Sequence, residues 1–127
     1  MKRTITLLLL FFALLSVSAK VKITRIDPTD WYVGMKDPTL QLMVYGEGIR
    51  DAEVSTDYPH ARIDSLVRLD SPNYLLVYMN LEGAQPGEMR LQFKLNGSKL
   101  TERYVLHARA KAAEDHKGFS QADVLYL

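Results

Sequence analysis

Two carboxylates near the start of the chain have a spacing that could support catalysis. Asp27 and Asp30 lie three residues apart, and a pair of carboxyl groups is what glycoside hydrolysis requires. The stretch that holds them, Asp27-Pro28-Thr29-Asp30, is also ordinary turn chemistry, because Pro fixes the backbone and Asp bonds to nearby backbone groups. We interpret this stretch as a turn, and no other acidic pair in the sequence has a better claim to catalysis.

The other residue types that carry chemistry are absent or scattered. The chain contains no Cys, and its sequence contains no Gly-x-Ser-x-Gly, His-Glu-x-x-His or phosphate-binding Gly motif. Gly46-Glu47-Gly48 has no helix pattern behind it, so we interpret it as a turn. The three histidines lack the spacing of a zinc site; they are His60, His107 and His116. We therefore predict no catalytic residue, no metal site and no cofactor in this chain.

One short segment could bind a ligand or a partner. Trp31-Tyr32-Val33-Gly34-Met35 contains the one Trp of the chain beside a Tyr, and it resembles a loop that begins after Pro28 and ends before Pro38. Three interpretations stay open: a Trp that plugs the end of a core, an aromatic anchor of a domain interface, or an exposed platform for a sugar ring. The candidate interface or glucan contacts are Trp31, Tyr32 and Met35.

The elements that position this segment are predicted to be strands. Met89–Leu95 alternates apolar and polar residues, and Asn96-Gly97 is the signature of a type I′ hairpin turn. Similar short runs recur with a turn signal every 8–12 residues or so, which is typical of an immunoglobulin-like, antiparallel β-sandwich of about seven strands. We predict this all-β domain over residues 20–110, with strands at Val21–Ile26, Leu40–Tyr45, Ala52–Ser55, Ala61–Val67, Tyr74–Met79, Met89–Leu95 and Leu100–Ala108.

The N-terminal residues have the pattern of a secretory signal. Lys2-Arg3 is followed by an apolar stretch from Ile5 to Leu15 and by the small residues Ser16-Val17-Ser18-Ala19, and the stretch is too short to span a bilayer. We predict a signal peptide at 1–19, cleaved after Ala19, with no membrane attachment afterwards. Export without any Cys favours a bacterial periplasm over an animal secretory pathway.

Charge and length restrict what the exported part can do. Removal of residues 1–19 leaves 108 of the 127 residues, with 14 basic and 15 acidic side chains. A net charge of about −1 is not the footprint of a protein that binds nucleic acid or an anionic membrane. The remaining length is enough for one ordinary core.

The C-terminal residues are predicted to lie outside this core. Lys111 to Gly118 is polar and rich in Ala, which is typical of a linker, and Val124-Leu125-Tyr126-Leu127 is an apolar run. Such a run is the pattern of a strand buried on both faces of a parallel sheet. From the pattern alone two interpretations stay open: the run begins a second domain that is truncated here, or it is the last strand of the sandwich.

Several of these pieces together resemble one family. The matching residues are Pro28, Trp31-Tyr32-Val33-Gly34-Met35, Leu40 to Gly46, Ser71 to Leu75, Pro86-Gly87 and, most specifically, Gly118 to Leu127. In combination they resemble the N-terminal domain of Bacteroidetes cyclomaltodextrinases and neopullulanases, enzymes of glycoside hydrolase family 13. Tyr32 departs from the family pattern, which more often has a second Trp, and so does His60, where Gly is common.

The resemblance implies a role as well as a fold. Residues 111–127 would be the linker and the truncated start of the catalytic (β/α)8 barrel, which holds the catalytic carboxylates of the parent enzymes and is absent from this chain. The chain would then be no enzyme itself but a periplasmic accessory domain that packs on the barrel, supports a homodimer or shapes the substrate cleft. A free-standing periplasmic module that binds maltodextrin or cyclodextrin weakly is the alternative.

Overall fold

The computed structural model describes residues 20–110, and these residues form two stacked β-sheets. The first sheet has the strand order β1-β3-β6-β5, and the second has the order β2-β8-β7-β4. A short 3₁₀ helix, Ile49–Asp51, connects β3 to β4. The strands are β1 Arg25–Asp27, β2 Asp30–Val33, β3 Thr39–Tyr45, β4 Glu53–Ser55, β5 Arg62–Arg68, β6 Tyr74–Asn80, β7 Gly87–Leu95 and β8 Ser98–Ala108.

The predicted immunoglobulin-like sandwich is confirmed. The first sheet reproduces the A-B-E-D order of that fold, and β8-β7-β4 reproduces G-F-C. Alternation along β7 buries Met89, Leu91 and Phe93 between the sheets and exposes the residues between them. The facing strand β6 buries Leu75, Val77 and Met79. No polar or charged residue among residues 20–110 is buried, so this part of the chain is held by apolar packing and backbone ladders.

The interpretation of the Trp31 segment as a loop is wrong. Residues Asp30–Val33 form β2, which pairs in parallel with residues Val105 to Ala108 of β8. The described residues therefore contain eight strands instead of about seven, and the second sheet is mixed. The backbone groups along the outer side of β8 need partners, and β2 supplies them.

The first predicted strand is also shorter than expected. Pairing begins at Arg25, where β1 joins β3, whereas the pattern predicted a strand from Val21. The buried Val21 donates its N–H to the Ser98 hydroxyl at 3.2 Å. This segment therefore runs beside the start of β8 before it joins the first sheet, and its alternating residues do not indicate a strand.

The turns follow the sequence signals. Asn96 and Gly97 have φ values of 50° and 78° between β7 and β8, as the type I′ prediction requires. His60, where the family pattern favours Gly, has a φ of 64°, in the left-handed region that costs a residue with a Cβ atom. The other six predicted strands lie within about one or two residues of their predicted bounds.

Two of the predictions concern the ends of the chain. The signal peptide at 1–19 and the linker and barrel start at 111–127 lie outside the described residues. Within residues 20–110 there is no helix long and apolar enough to cross a membrane.

Candidate functional site: a groove at one end of the sandwich

A concave groove of about 390 Å³ opens at one end of the sandwich. One wall is β2 together with the connection that leads to β3, and the other wall is the connection between β6 and β7. The first wall supplies Trp31, Tyr32, Val33, Gly34, Met35, Lys36, Asp37 and Pro38, and the second supplies Leu81, Glu82 and Gly83. The three residues that the sequence singled out, Trp31, Tyr32 and Met35, thus line a single groove.

Because β2 is extended, its two aromatic side chains point to opposite sides of the sheet. Successive side chains of a strand point to opposite faces. Trp31 and Val33 point inward; Val33 is buried, and Trp31 is partly buried against the hydrophobic core. Tyr32 points outward and is 45% exposed. The neighbouring aromatics are therefore not equivalent, because Trp31 is tied to the core whereas Tyr32 is available at the surface.

A backbone hydrogen bond joins the two walls of the groove. The Leu81 N–H donates to the Pro38 carbonyl oxygen at 2.9 Å, which joins the second wall to the first. At the end of the first wall, the Thr39 N–H donates to the Asp37 carboxylate at 2.9 Å. This bond lowers the pKa of Asp37 because it favours the charged form of the carboxylate. The edge of the groove is therefore held by hydrogen bonds and carries a negative charge at Asp37.

A polar cluster lies on the outer side of β2. The His107 ring nitrogen Nε2 and the Asp30 oxygen Oδ2 are 2.9 Å apart, and the rings of Tyr32 and His107 are 5.4 Å apart at a tilt of 43°. These contacts follow from the register, which places Tyr32 beside His107. All three side chains are at least partly exposed. The cluster orients the exposed Tyr32 ring at the edge of the groove.

The carboxylates considered for glycoside cleavage are engaged in other contacts. Asp27 pairs with Arg25 at 2.6 Å within β1, and Asp30 faces His107. The nearby Tyr104 hydroxyl donates to the Pro28 carbonyl oxygen at 2.9 Å, and burial together with the charge of Asp30 raises the pKa of Tyr104. The interpretation of Asp27 to Asp30 as a turn is consistent with these contacts.

The chemical groups around the groove are suited to non-covalent contacts. Within residues 20–110 no group of three His, Cys, Asp or Glu side chains is arranged to hold a metal ion. The groove offers aromatic and thioether surfaces from Trp31, Tyr32 and Met35 beside the charged Lys36 and Glu82. Such a mixture can stack on a ring or bury a partner's apolar side chain.

Reasoning from the sequence missed the second wall of the groove. Leu81, Glu82 and Gly83 lie about fifty residues from Trp31 in the chain, and nothing in their local pattern distinguishes them from any other turn. They reach the groove because β6, which they follow, and the start of β3 are neighbours in the first sheet, with Thr39 opposite Asn80. Lys36 and Asp37 were also missed, since a charged turn is usually only a solvated connection.

The fold and the groove can now be set beside a known family. A family model described as "Cyclomaltodextrinase, N-terminal" matches residues 25–110. The match covers 86 of the 127 residues, and it begins at the first residue of β1 and ends two residues after β8. It therefore includes every strand of the sandwich and both walls of the groove. The chain belongs to the family of cyclomaltodextrinase N-terminal domains.

Proposed function

We propose that this chain is the non-catalytic N-terminal accessory domain of a periplasmic α-glucan hydrolase of the cyclomaltodextrinase and neopullulanase type. In this role it packs on the catalytic barrel, and through that contact it shapes the substrate cleft or supports dimerisation. Membership of the family supports an accessory role in an α-amylase-family enzyme. The proposed packing on the barrel, and its effect on the substrate cleft or on dimerisation, depend on the position of the groove in the fold.

The observation that carries the proposal is that the groove and the end of β8 lie together. Ala108, the last residue of β8, is in register with Val33 of β2, and Val33 lines the groove. The end of β8 therefore lies beside the groove. In a longer polypeptide, a domain that follows β8 after a short connection would be close to the surface of Trp31, Tyr32 and Met35.

The composition of the groove suits a contact between domains. Trp, Tyr and Met are enriched at protein interfaces, whereas charged residues collect at the rim. Here Trp31 and Met35 are partly exposed beside Tyr32, and Lys36 and Asp37 are exposed at the edge. Contacts between domains of one chain bury only about 600–1,500 Å² in total, so a groove with its surroundings is large enough to contribute.

A second candidate function is a free-standing glucan-binding module, and the exposed Tyr32 ring is the observation that favours it. Stacking on an aromatic ring contributes about 1–3 kcal/mol, judged from aromatic stacking on nucleic-acid bases. Association costs at least about 4 kcal/mol in lost freedom of motion. One exposed ring therefore supports weak binding of maltodextrin or cyclodextrin at most.

Calorimetric titration with maltoheptaose separates the two candidates. The accessory-domain proposal expects no binding tighter than about 1 mM, as the stacking and association terms above require. A dissociation constant below about 100 μM, lost in Tyr32→Ala and kept in Val105→Ala, would favour the binding module instead. Val105 is the matched control because it is 41% exposed on β8 and does not line the groove.

Docking on a barrel needs its own measurement. In a polypeptide that joins this chain to a cyclomaltodextrinase barrel, Tyr32→Ala and Met35→Ala should lower the melting temperature of the barrel or change its preference between cyclodextrin and starch. The same substitutions in the chain without a barrel measure the purely local effect. Equal effects with and without the barrel would contradict the proposed contact.

A further inference from the structure

The methionines among residues 20–110 differ in how far solvent can reach their side chains. Met79 and Met89 are 0% exposed and lie in the core between the sheets. Met43 is partly exposed on β3, and Met35 is partly exposed in the connection between β2 and β3. The chain contains no Cys, so its sulfur atoms are all thioethers. An oxidant that attacks sulfur therefore reacts with methionine in this chain.

The oxidation of a methionine needs an accessible sulfur atom and an oxygen donor such as a hydroperoxide. A lone pair of the sulfur attacks one oxygen of the peroxide and the O–O bond breaks. The new S–OH group then gives its proton to the leaving oxygen, which departs as water or an alcohol. The sulfur loses two electrons and becomes a sulfoxide, and the peroxide gains them. Because no other group takes part, exposure decides which methionine reacts.

The two partly exposed methionines have different surroundings. Met35 lines the groove of about 390 Å³ together with Trp31, and this volume is many times the roughly 30 Å³ that a water molecule occupies in the liquid. A peroxide molecule can therefore enter the groove. Met43 lies within a sheet, with Leu76 opposite it on one side and Asp27 on the other. Cross-strand neighbours are close enough to shield part of its side chain, so we expect Met35 to react first.

A sulfoxide at Met35 would change what the groove offers to a partner. The thioether of methionine is flexible and apolar and contacts aromatic rings favourably, whereas the sulfoxide is polar. Its oxygen accepts hydrogen bonds, and a buried acceptor without a donor is unfavourable. Oxidation would therefore remove one of the apolar surfaces of the groove and leave Trp31 beside a polar group.

We propose that Met35 is a reversible oxidation site that controls the groove. As the thioether it allows an apolar partner to bind in the groove, and as the sulfoxide it prevents that binding. Methionine sulfoxide reductases restore the thioether, so the change can be undone. A bound partner would cover Met35, and oxidation and binding would then exclude each other. The control of binding rests on the proposed function, since it requires the groove to be a contact surface, whereas the oxidation of Met35 does not.

Peptide mapping by mass spectrometry, after hydrogen peroxide treatment of the full chain, tests which methionines react. Met35 should gain an oxygen atom first and Met43 second. Met79 and Met89 should react at least about tenfold more slowly than Met35, since they become accessible only when the core opens. In urea, which unfolds the chain, all of them should react at similar rates. Protection of Met35 equal to that of Met79, or a faster reaction at Met43, would overturn the proposal.

The fluorescence of Trp31 reports on the groove directly, because it is the one Trp of the chain and lines the groove. Peroxide should change its emission or its quenching by acrylamide, and methionine sulfoxide reductase should reverse that change. Met35→Leu keeps an apolar side chain of similar volume and should abolish the response, whereas the matched control Met43→Leu should keep it. Equal responses in the two variants, or a change that the reductase does not reverse, would contradict a reversible site at Met35.

The effect on binding is measured in a polypeptide that joins this chain to a cyclomaltodextrinase barrel. Peroxide should lower the melting temperature of the barrel more when residue 35 is Met than in Met35→Leu, and this comparison cancels the oxidation of the barrel's own methionines. If Tyr32→Ala destabilises the barrel but oxidation of Met35 does not, the contact stands and its control by Met35 is wrong. If neither change affects the barrel while peptide mapping shows oxidation of Met35, the proposed contact fails and the oxidation site stands.

Discussion

The different burial of Trp31 and Tyr32 predicts that their substitutions have separable effects. Trp31 points inward from β2 and packs partly against the core, whereas Tyr32 points outward and contacts the ring of His107. Replacement of a fully buried Trp by Ala costs about 3–5 kcal/mol. Because Trp31 is only partly buried, we expect Trp31→Ala to lower the free energy of unfolding by about 2 kcal/mol. Tyr32→Ala should lower it by about 0.5 kcal/mol, the value of one exposed cross-strand aromatic contact.

Thermal unfolding followed by circular dichroism measures this difference. For a domain of this size, about 1 kcal/mol corresponds to a shift in melting temperature of 4–8 °C. Trp31→Ala should therefore melt at least about 8 °C lower than the unsubstituted chain, and Tyr32→Ala less than about 4 °C lower. Trp31→Phe is the control that keeps most of the apolar surface and should recover more than half of the loss. Equal destabilisation by Trp31→Ala and Tyr32→Ala would refute the assignment of Trp31 to the core and Tyr32 to the surface.

Three further substitutions have outcomes that follow from single contacts. His60→Gly should raise the free energy of unfolding by about 0.5 kcal/mol in a thermal melt, because Gly adopts the φ of 64° freely, and His60→Ala should show no comparable gain. Tyr104→Phe should cost about 1 kcal/mol at pH 7, since it removes the bond to the Pro28 carbonyl. Unfolded Tyr loses its proton near pH 10, whereas the raised pKa keeps folded Tyr104 protonated. The free energy of unfolding should therefore fall above about pH 10. In urea unfolding from pH 8 to 11, Tyr104→Phe should reduce that fall. Gly46→Ala should lower the free energy of unfolding by about 1–3 kcal/mol in the same assay, because the added methyl group would collide with the Lys22 carbonyl oxygen. An unchanged urea midpoint would show that the segment around Lys22 moves aside at little cost.

The core strands could be predicted from the sequence because their signals are local. Apolar and polar residues alternate strictly from Met89 to Leu95, and the Asn96-Gly97 turn pairs this strand with the next one as a hairpin. Burial on one face is sufficient to produce such a period-two pattern. Turn residues then mark the ends. The type and approximate bounds of most strands therefore follow from residues that are close together in the chain.

The structure of β2 could not be predicted from its own residues. It has only four residues, between the turn at Pro28 and the turn at Gly34, and so short a run carries no period. It is a strand because Val105 to Ala108 of β8 offer it a ladder. Parallel pairing across some seventy-five residues leaves no local signal, since it depends on where the rest of the sheet places its edge.

In the candidate site, too, local features could be predicted and long-range ones could not. The sequence indicated Trp31, Tyr32 and Met35 because the one Trp of the chain stands beside a Tyr in a segment predicted to be a loop. The three residues do lie together in one groove. Their opposite orientations depend on β2 being a strand, so the sequence left core plug, interface and sugar platform open. The contacts now assign Trp31 partly to the core, and the roles of Tyr32 and Met35 as partner or glucan contacts stay predictions.

The parallel pairing of β2 with β8 also bears on the proposed contact between this domain and a neighbour. Val33 forms part of the groove and is paired with Ala108, where β8 ends. β8 is held on its other side by β7 along nine residue pairs, so the β2 wall of the groove and the end of β8 belong to one sheet. A partner that binds in the groove, as proposed above, would therefore lie beside the end of β8.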